Sequence, residues 1–434
     1  MISQQDFLSG DDHTFTDEKV YYKYLLLLSL GVFLIYWLFN RQYTGPAYLS
    51  DEIGYLSKAA AFAGYPVDMA SSWHGGYSLI LSPLFIIFSD PYLIWQAIMI
   101  INAILWACSF VILFCLLNKC FPGKNFRSIL GTVLICAIYP SWITMSGYAF
   151  STSCFVLFYM LSIIALQKID ISKAWTVLPH SLLAGFLYWI HPTGLAVMVA
   201  SFLVVFVLSW NKRSFISLVL NSSTIVIMLV VYKFGVHEWL AAIMTPEGYT
   251  ASDHYGSITE VFGNFFNFDF WKTWVPIFFG QMSYLLIASF GLVYVAIGEI
   301  WDRLKEGLHS FNSKEWLINS TMLFCFLSVL GVLLMGSLYF ASNSLLRTDI
   351  VIYGRYSEMV LLPLLGIGVL SSWRFRHLFR SVLIILLSTL LVTIYTCTTD
   401  IGNYNNLVNI QSFWPQAIYK QSYTDTQRVT TRLW

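Results

Sequence analysis

Long apolar runs alternate with short polar breaks along the chain, and the runs have the length of membrane-crossing helices. A hydrocarbon core of about 30 Å takes some 20 apolar residues in a helix. Runs at 21–39, 92–117, 128–146, 151–167, 176–190, 193–210, 215–233, 274–297, 316–341, 359–373 and 381–398 predict about eleven transmembrane helices. The stretch 176–210 is divided only by His191-Pro192-Thr193-Gly194, where Pro and Gly interrupt helical propagation. The run at 79–88 contains Pro83 and is too short to span, which predicts a re-entrant or interfacial helix. Before it, Leu49 to Lys58 predicts a further helix with Asp51, Tyr55, Lys58 and Phe62 on one face and Glu52 about a quarter-turn away. The expected fold is thus all-α and polytopic, with an outward-facing amphipathic or re-entrant helical loop after the first span.

Composition agrees with a single membrane domain. Hydrophobic residues make up 57% of the 434 positions and charged residues only 11%, with a mean hydropathy of +0.67. A net charge of +1 gives no reason to expect a nucleic-acid partner. The seven cysteines lie in or at the ends of apolar runs without metal or disulfide spacing, so they read as structural. Residues 1–20 lack the basic start and small-residue cleavage site of a signal peptide and are expected to form a cytoplasmic tail. With the N-terminus inside, Lys119, Lys124, Arg127, Lys168, Lys173, Lys212, Arg213, Arg303, Lys305, Lys314, Arg374, Arg376 and Arg380 fall on the cytoplasmic side, as the positive-inside rule requires. The membrane domain is then 21–398, with outer loops at 40–78, 234–273 and 342–358 and an outward tail at 399–434.

The apolar runs hold almost no ionisable residues beyond His180 and His191, so chemistry is expected in the outer loops. No fixed-period repeat, phosphate-binding glycine loop or zinc motif is present, and no metal or other cofactor is expected. Asp51 is the candidate general base and Glu52 a supporting carboxylate. A bland reading competes: Ser50 is a good N-cap, and acids suit the first turn of a helix. Cations able to meet a phosphate are Lys58, His74, Lys272, Arg347 and Arg355, with Tyr356 beside the last; Tyr55, Tyr353 and His254 are further substrate-binding candidates. Arg355 also suits an interfacial anchor, His74 an ordinary loop residue and His191 a helix-end cap. The loop from Thr245 to Asp269 suits an acceptor-binding loop or solvated cover. Sequons at Asn221 and Asn319 lie in predicted spans, out of reach of modification.

The order of several short motifs resembles the GT-C membrane glycosyltransferases, in particular the branch of protein O-mannosyltransferases and lipid A aminoarabinose transferases. These motifs are Asp51-Glu52, Tyr55-Leu56 with Ala59, Gly76-Tyr77 leading to Pro83-Leu84-Phe85, and Asp90-Pro91. Further along are Tyr139-Pro140-Ser141, Phe150-Ser151-Thr152-Ser153, His191-Pro192-Thr193-Gly194 and Tyr353-Gly354-Arg355-Tyr356. The chain departs from the branch at Gly54, where an Arg is common, and at His74-Gly75-Gly76, where Lys-Pro-Pro is common. With residues 399–434 after the last predicted span, the large C-terminal domain of oligosaccharyltransferases is not expected, and neither is glycosylation of a protein sequon. The resemblance implies transfer of a sugar from a polyprenyl-phosphate donor to an acceptor hydroxyl of a glycan, lipid or protein. Transfer would invert the anomeric centre and occur at the outer face, with a bacterial inner membrane as the expected setting. The competing readings are a transporter or flippase for a lipid-linked sugar, and an O-antigen polymerase or ligase using a lipid-diphosphate donor.

Overall fold

The computed structural model describes residues 18–47, 49–68, 73–212, 214–245, 263–264, 266–307, 313–343 and 348–372, with short pieces at 379–380, 382–387 and 390. His254, Arg347, both tails beyond these limits and most of the run at 381–398 lie outside the described residues. Every regular element among the described residues is helical. In chain order these are α1 (Glu18–Asn40), α2 (Ser50–Phe62), α3 (Gly76–Ile87), α4 (Pro91–Cys120), α5 (Phe126–Ala137), α6 (Pro140–Ser146), α7 (Thr152–Leu166), α8 (Leu178–Ile190) and α9 (Gly194–Lys212). They continue with α10 (Phe215–Val230), α11 (Glu238–Met244), α12 (Phe268–Ala288), α13 (Leu292–Gly307), α14 (Ser313–Asn343), α15 (Thr348–Val351) and α16 (Arg355–Ser371).

Four of the described helical stretches are long and apolar enough to cross a membrane: Tyr22–Asn40, Pro91–Cys120, Phe215–Met244 and Glu315–Ser342. Two bent pairs raise the total to six if each is one span, and several apolar helices are shorter. The chain is therefore a polytopic membrane protein. α4 shows how local chemistry sets an element: Asp90 accepts from the Tyr92 amide at 2.8 Å, and Pro91 occupies the first turn, where no intrahelical donor is needed. Its 30 residues extend about 45 Å. The stretch Phe215–Met244 passes through a π-helical segment, Val231–His237, that turns Tyr232 inward to accept from the Gly75 amide at 3.0 Å.

Two predicted spans are not single straight helices. The run at 128–146 breaks at Pro140, where α5 and α6 meet at 56°; proline has no amide hydrogen to continue the ladder. The run at 274–297 turns by 97° between α12 and α13. The turn uses Phe290 at φ 51° and Gly291 at φ 74°, consecutive left-handed residues that end one helix and re-aim the next. α13 then carries Glu299 and Arg303, paired at 2.7 Å, and Arg303 also donates to the Cys120 carbonyl at the end of α4. Those charged groups favour a helix that lies along the bundle end over one that continues through lipid. α3, with twelve residues, reaches only about 18 Å and packs on α2 and α8.

One end of the bundle gathers α2, the turn 147–151 before α7, the His191 break between α8 and α9, and the start of α16. The candidate site is built there.

Candidate functional site

α2 begins with Leu49 at its cap and no side-chain cap, so Ser50 is not the N-cap that its type suggests. The carboxylates of the first turn are engaged elsewhere. Glu52 is fully buried, and its two oxygens accept from the backbone amides of Ala47 at 2.8 Å and Ala149 at 3.1 Å. Burial pushes its carboxyl up to about 7, against the pull of those amides. Glu52 is thus a strut that ties two chain turns to α2. It is the more deeply buried of the two adjacent carboxylates.

Asp51 points to α16. Its Oδ2 lies 2.6 Å from Nη1 of Arg355, with the side chains 17% and 8% exposed. The Arg355 guanidinium sits 4.0 Å over the ring of Phe150, a cation–π contact made in a desolvated setting. Only one corner of the guanidinium is used. Nε and Nη2 are buried and have no hydrogen-bond partner among the described residues. Those two nitrogens form one edge of the planar fork, the edge that matches two oxygens of a phosphate or carboxylate. A surface anchor would leave its head in headgroups and water; Arg355 is 6% exposed.

Aromatic groups close the surroundings. Tyr353 and Tyr356 lie 4.8 Å apart by ring centroid, and His191 is 5.0 Å from Tyr356. Thr193 donates its amide to Nδ1 of His191 at 3.2 Å, so this histidine does cap the break in which it sits. Tyr55 is one turn beyond Asp51 on α2, and its hydroxyl shares a 2.9 Å hydrogen bond with Ser151.

Lys58 continues the same face and is buried, donating to the Trp73 carbonyl. No carboxylate is paired with it among the described residues, and desolvation drives the amine down to about 7. His74 is enclosed by Tyr188 and Tyr232 and bonds the Tyr188 carbonyl through Nδ1, which must therefore carry the hydrogen. Burial holds its imidazole down to about 3, so it is neutral and supplies no charge for a phosphate.

Lys58 gives a stability prediction. Below about pH 7 the folded protein bears the full cost of a buried ammonium, and the cost fades as pH rises toward the ordinary lysine value near 10.4. Lys58→Met should therefore stabilise the protein by about 1–3 kcal/mol at pH 6, with the gain shrinking by pH 10. Thermal unfolding at both pH values checks this; an equal effect at both would show that packing alone is responsible.

Lys272 is remote in character from this cluster: it is exposed and paired with Asp269 at 2.7 Å. Phe150 under the guanidinium and Ser151 on Tyr55 belong to a motif of the resemblance but carry no expected site role, and Glu358 is a participant outside every motif and candidate read from the sequence. Glu358 had a readable signal, being an acid three residues after Arg355 at the mouth of an apolar run. No protein-family model, curated protein or solved structure matches this chain.

Proposed function

We propose that the protein is a membrane glycosyltransferase that moves a sugar from a polyprenyl-phosphate donor to an acceptor hydroxyl. The observation that carries this reading is Arg355: a buried guanidinium with one corner on Asp51 and a whole fork edge unspent. Such an edge suits two oxygens of a phosphate. A phosphate on that edge would stand beside the Asp51 carboxylate, the pairing that glycosyl transfer from a phosphate needs.

In this mechanism Asp51 takes the proton from the acceptor hydroxyl as its oxygen bonds to the anomeric carbon. The bond from that carbon to the phosphate oxygen breaks, and its electron pair stays on the phosphate, whose negative charge Arg355 meets. Attack opposite the leaving phosphate inverts the centre. Glu52 and Tyr55 hold α2 in place, and the aromatic groups around Arg355 exclude water, which strengthens its hold on the anion.

The reading includes the finer architecture expected from sequence: about eleven spans of GT-C type, N-terminus inside, and the site at the outer face of a bacterial inner membrane. Cysteines placed at Ser257 and Ser310 should label from outside and inside respectively; the opposite pattern would put the site on the wrong face. For activity, cells carrying Asp51→Asn should accumulate a polyprenyl-phosphate sugar. Accumulation of a lipid-diphosphate oligosaccharide instead would favour the polymerase or ligase class, and an unchanged lipid pool would count against transfer altogether.

A further inference from the structure

Glu358 lies one turn after Arg355 on α16 and is 1% exposed. Its carboxylate accepts from the hydroxyls of Tyr284 at 2.6 Å, Tyr139 at 3.1 Å and Ser141, while its backbone carbonyl accepts from Nε1 of Trp142 at 3.3 Å. Three hydroxyls therefore satisfy it. Among the described residues no cation lies within ion-pair distance of it, so it does not draw on the Arg355 fork.

The same tyrosine also fixes the other side of Arg355. The Tyr284 ring is packed on Gly354 so closely that an added Cβ would fall 1.6 Å from a ring carbon, leaving room for glycine alone. Residues 354 and 358 are thus both pinned to Tyr284, and Arg355 stands between them. Asp51 and the Phe150 ring hold one corner and the face of the guanidinium, whereas Nε and Nη2 have no hydrogen-bond partner among the described residues; where that edge stands therefore also depends on the backbone that carries Arg355.

We infer that Glu358 is a positioning residue that aims the free edge of Arg355, acting through Tyr284 and the first turn of α16. The inference rests on the functional reading above, in which that edge holds the donor phosphate. A carboxylate only accepts, as these three hydroxyls require. In Glu358→Gln the amide nitrogen must face one of them, and that hydroxyl has to reverse or move away. In Tyr284→Phe the ring stays on Gly354 and only the hydroxyl is lost.

A double-mutant cycle tests this with farnesyl phosphate as the probe, bound to the full-length protein in lipid nanodiscs. Glu358→Gln should weaken binding about tenfold when Arg355 is present and less than about twofold in an Arg355→Lys background, as expected for residues that act as a unit. Tyr284→Phe should show the same dependence on background with a smaller effect, and it carries the test if Glu358→Gln does not fold. Equal weakening in both backgrounds, or none in either, overturns the inference and leaves the functional reading standing. Failure of the wild-type protein to bind farnesyl phosphate removes the functional reading, and this inference with it.

Discussion

Asp51→Asn is expected to lower turnover by about 10²–10⁴-fold, the usual cost of losing a general base, while donor binding is retained or tightened. Asparagine keeps the shape of aspartate and an oxygen that can accept from Nη1 of Arg355, so the contact observed at 2.6 Å has a replacement. It cannot take a proton. It also withdraws a negative charge from a guanidinium that must meet an anionic phosphate, and that favours the donor. A purely structural role for Asp51 predicts the opposite pairing: weaker donor binding along with loss of folded protein. Steady-state kinetics with direct binding of farnesyl phosphate separate the two. Turnover equal to wild type would end the assignment of Asp51 as base.

Arg355→Lys is expected to weaken donor binding by about 1–3 kcal/mol, the worth of a charge-assisted hydrogen bond, and Arg355→Ala to weaken it further. Lysine keeps the charge but offers one nitrogen on a flexible stem, so it cannot hold Asp51 with one corner and two phosphate oxygens with another edge. It also lacks the planar face that sits 4.0 Å over Phe150. Alanine adds a second cost, because Asp51 then loses its ion-pair partner. Farnesyl phosphate affinity measured on folded, membrane-inserted protein checks both variants. Equal affinity of Arg355→Lys and wild type would reduce Arg355 to a generic cation.

These expectations depend on pairings that join distant parts of the chain. Asp51 and Arg355 are separated by some 300 positions, and each had a bland local reading as a first-turn acid or an interfacial cation. Glu358 shows a different failure: its sequence position was conspicuous, but its three hydroxyl partners come from α6, α12 and the Tyr139 turn before α6. Nothing local specifies them. The bend between α12 and α13 was hidden for a third reason. The apolar run at 274–297 is continuous in composition, and only the left-handed pair at Phe290 and Gly291 reveals that the helix stops.

The sequence by itself determined that this is a helical membrane protein, because a chain with 57% hydrophobic residues in runs of spanning length has no other way to satisfy its backbone in lipid. It also determined that α2 is a helix with Asp51, Tyr55 and Lys58 along one side, since that follows from a 3.6-residue period. Tertiary structure alone decided what each of those groups meets: Arg355 for Asp51, Ser151 for Tyr55 and a bare carbonyl for Lys58. The period of a helix fixes which residues share a face, whereas the partner of that face depends on how separate helices pack, and side-chain type carries little information about that.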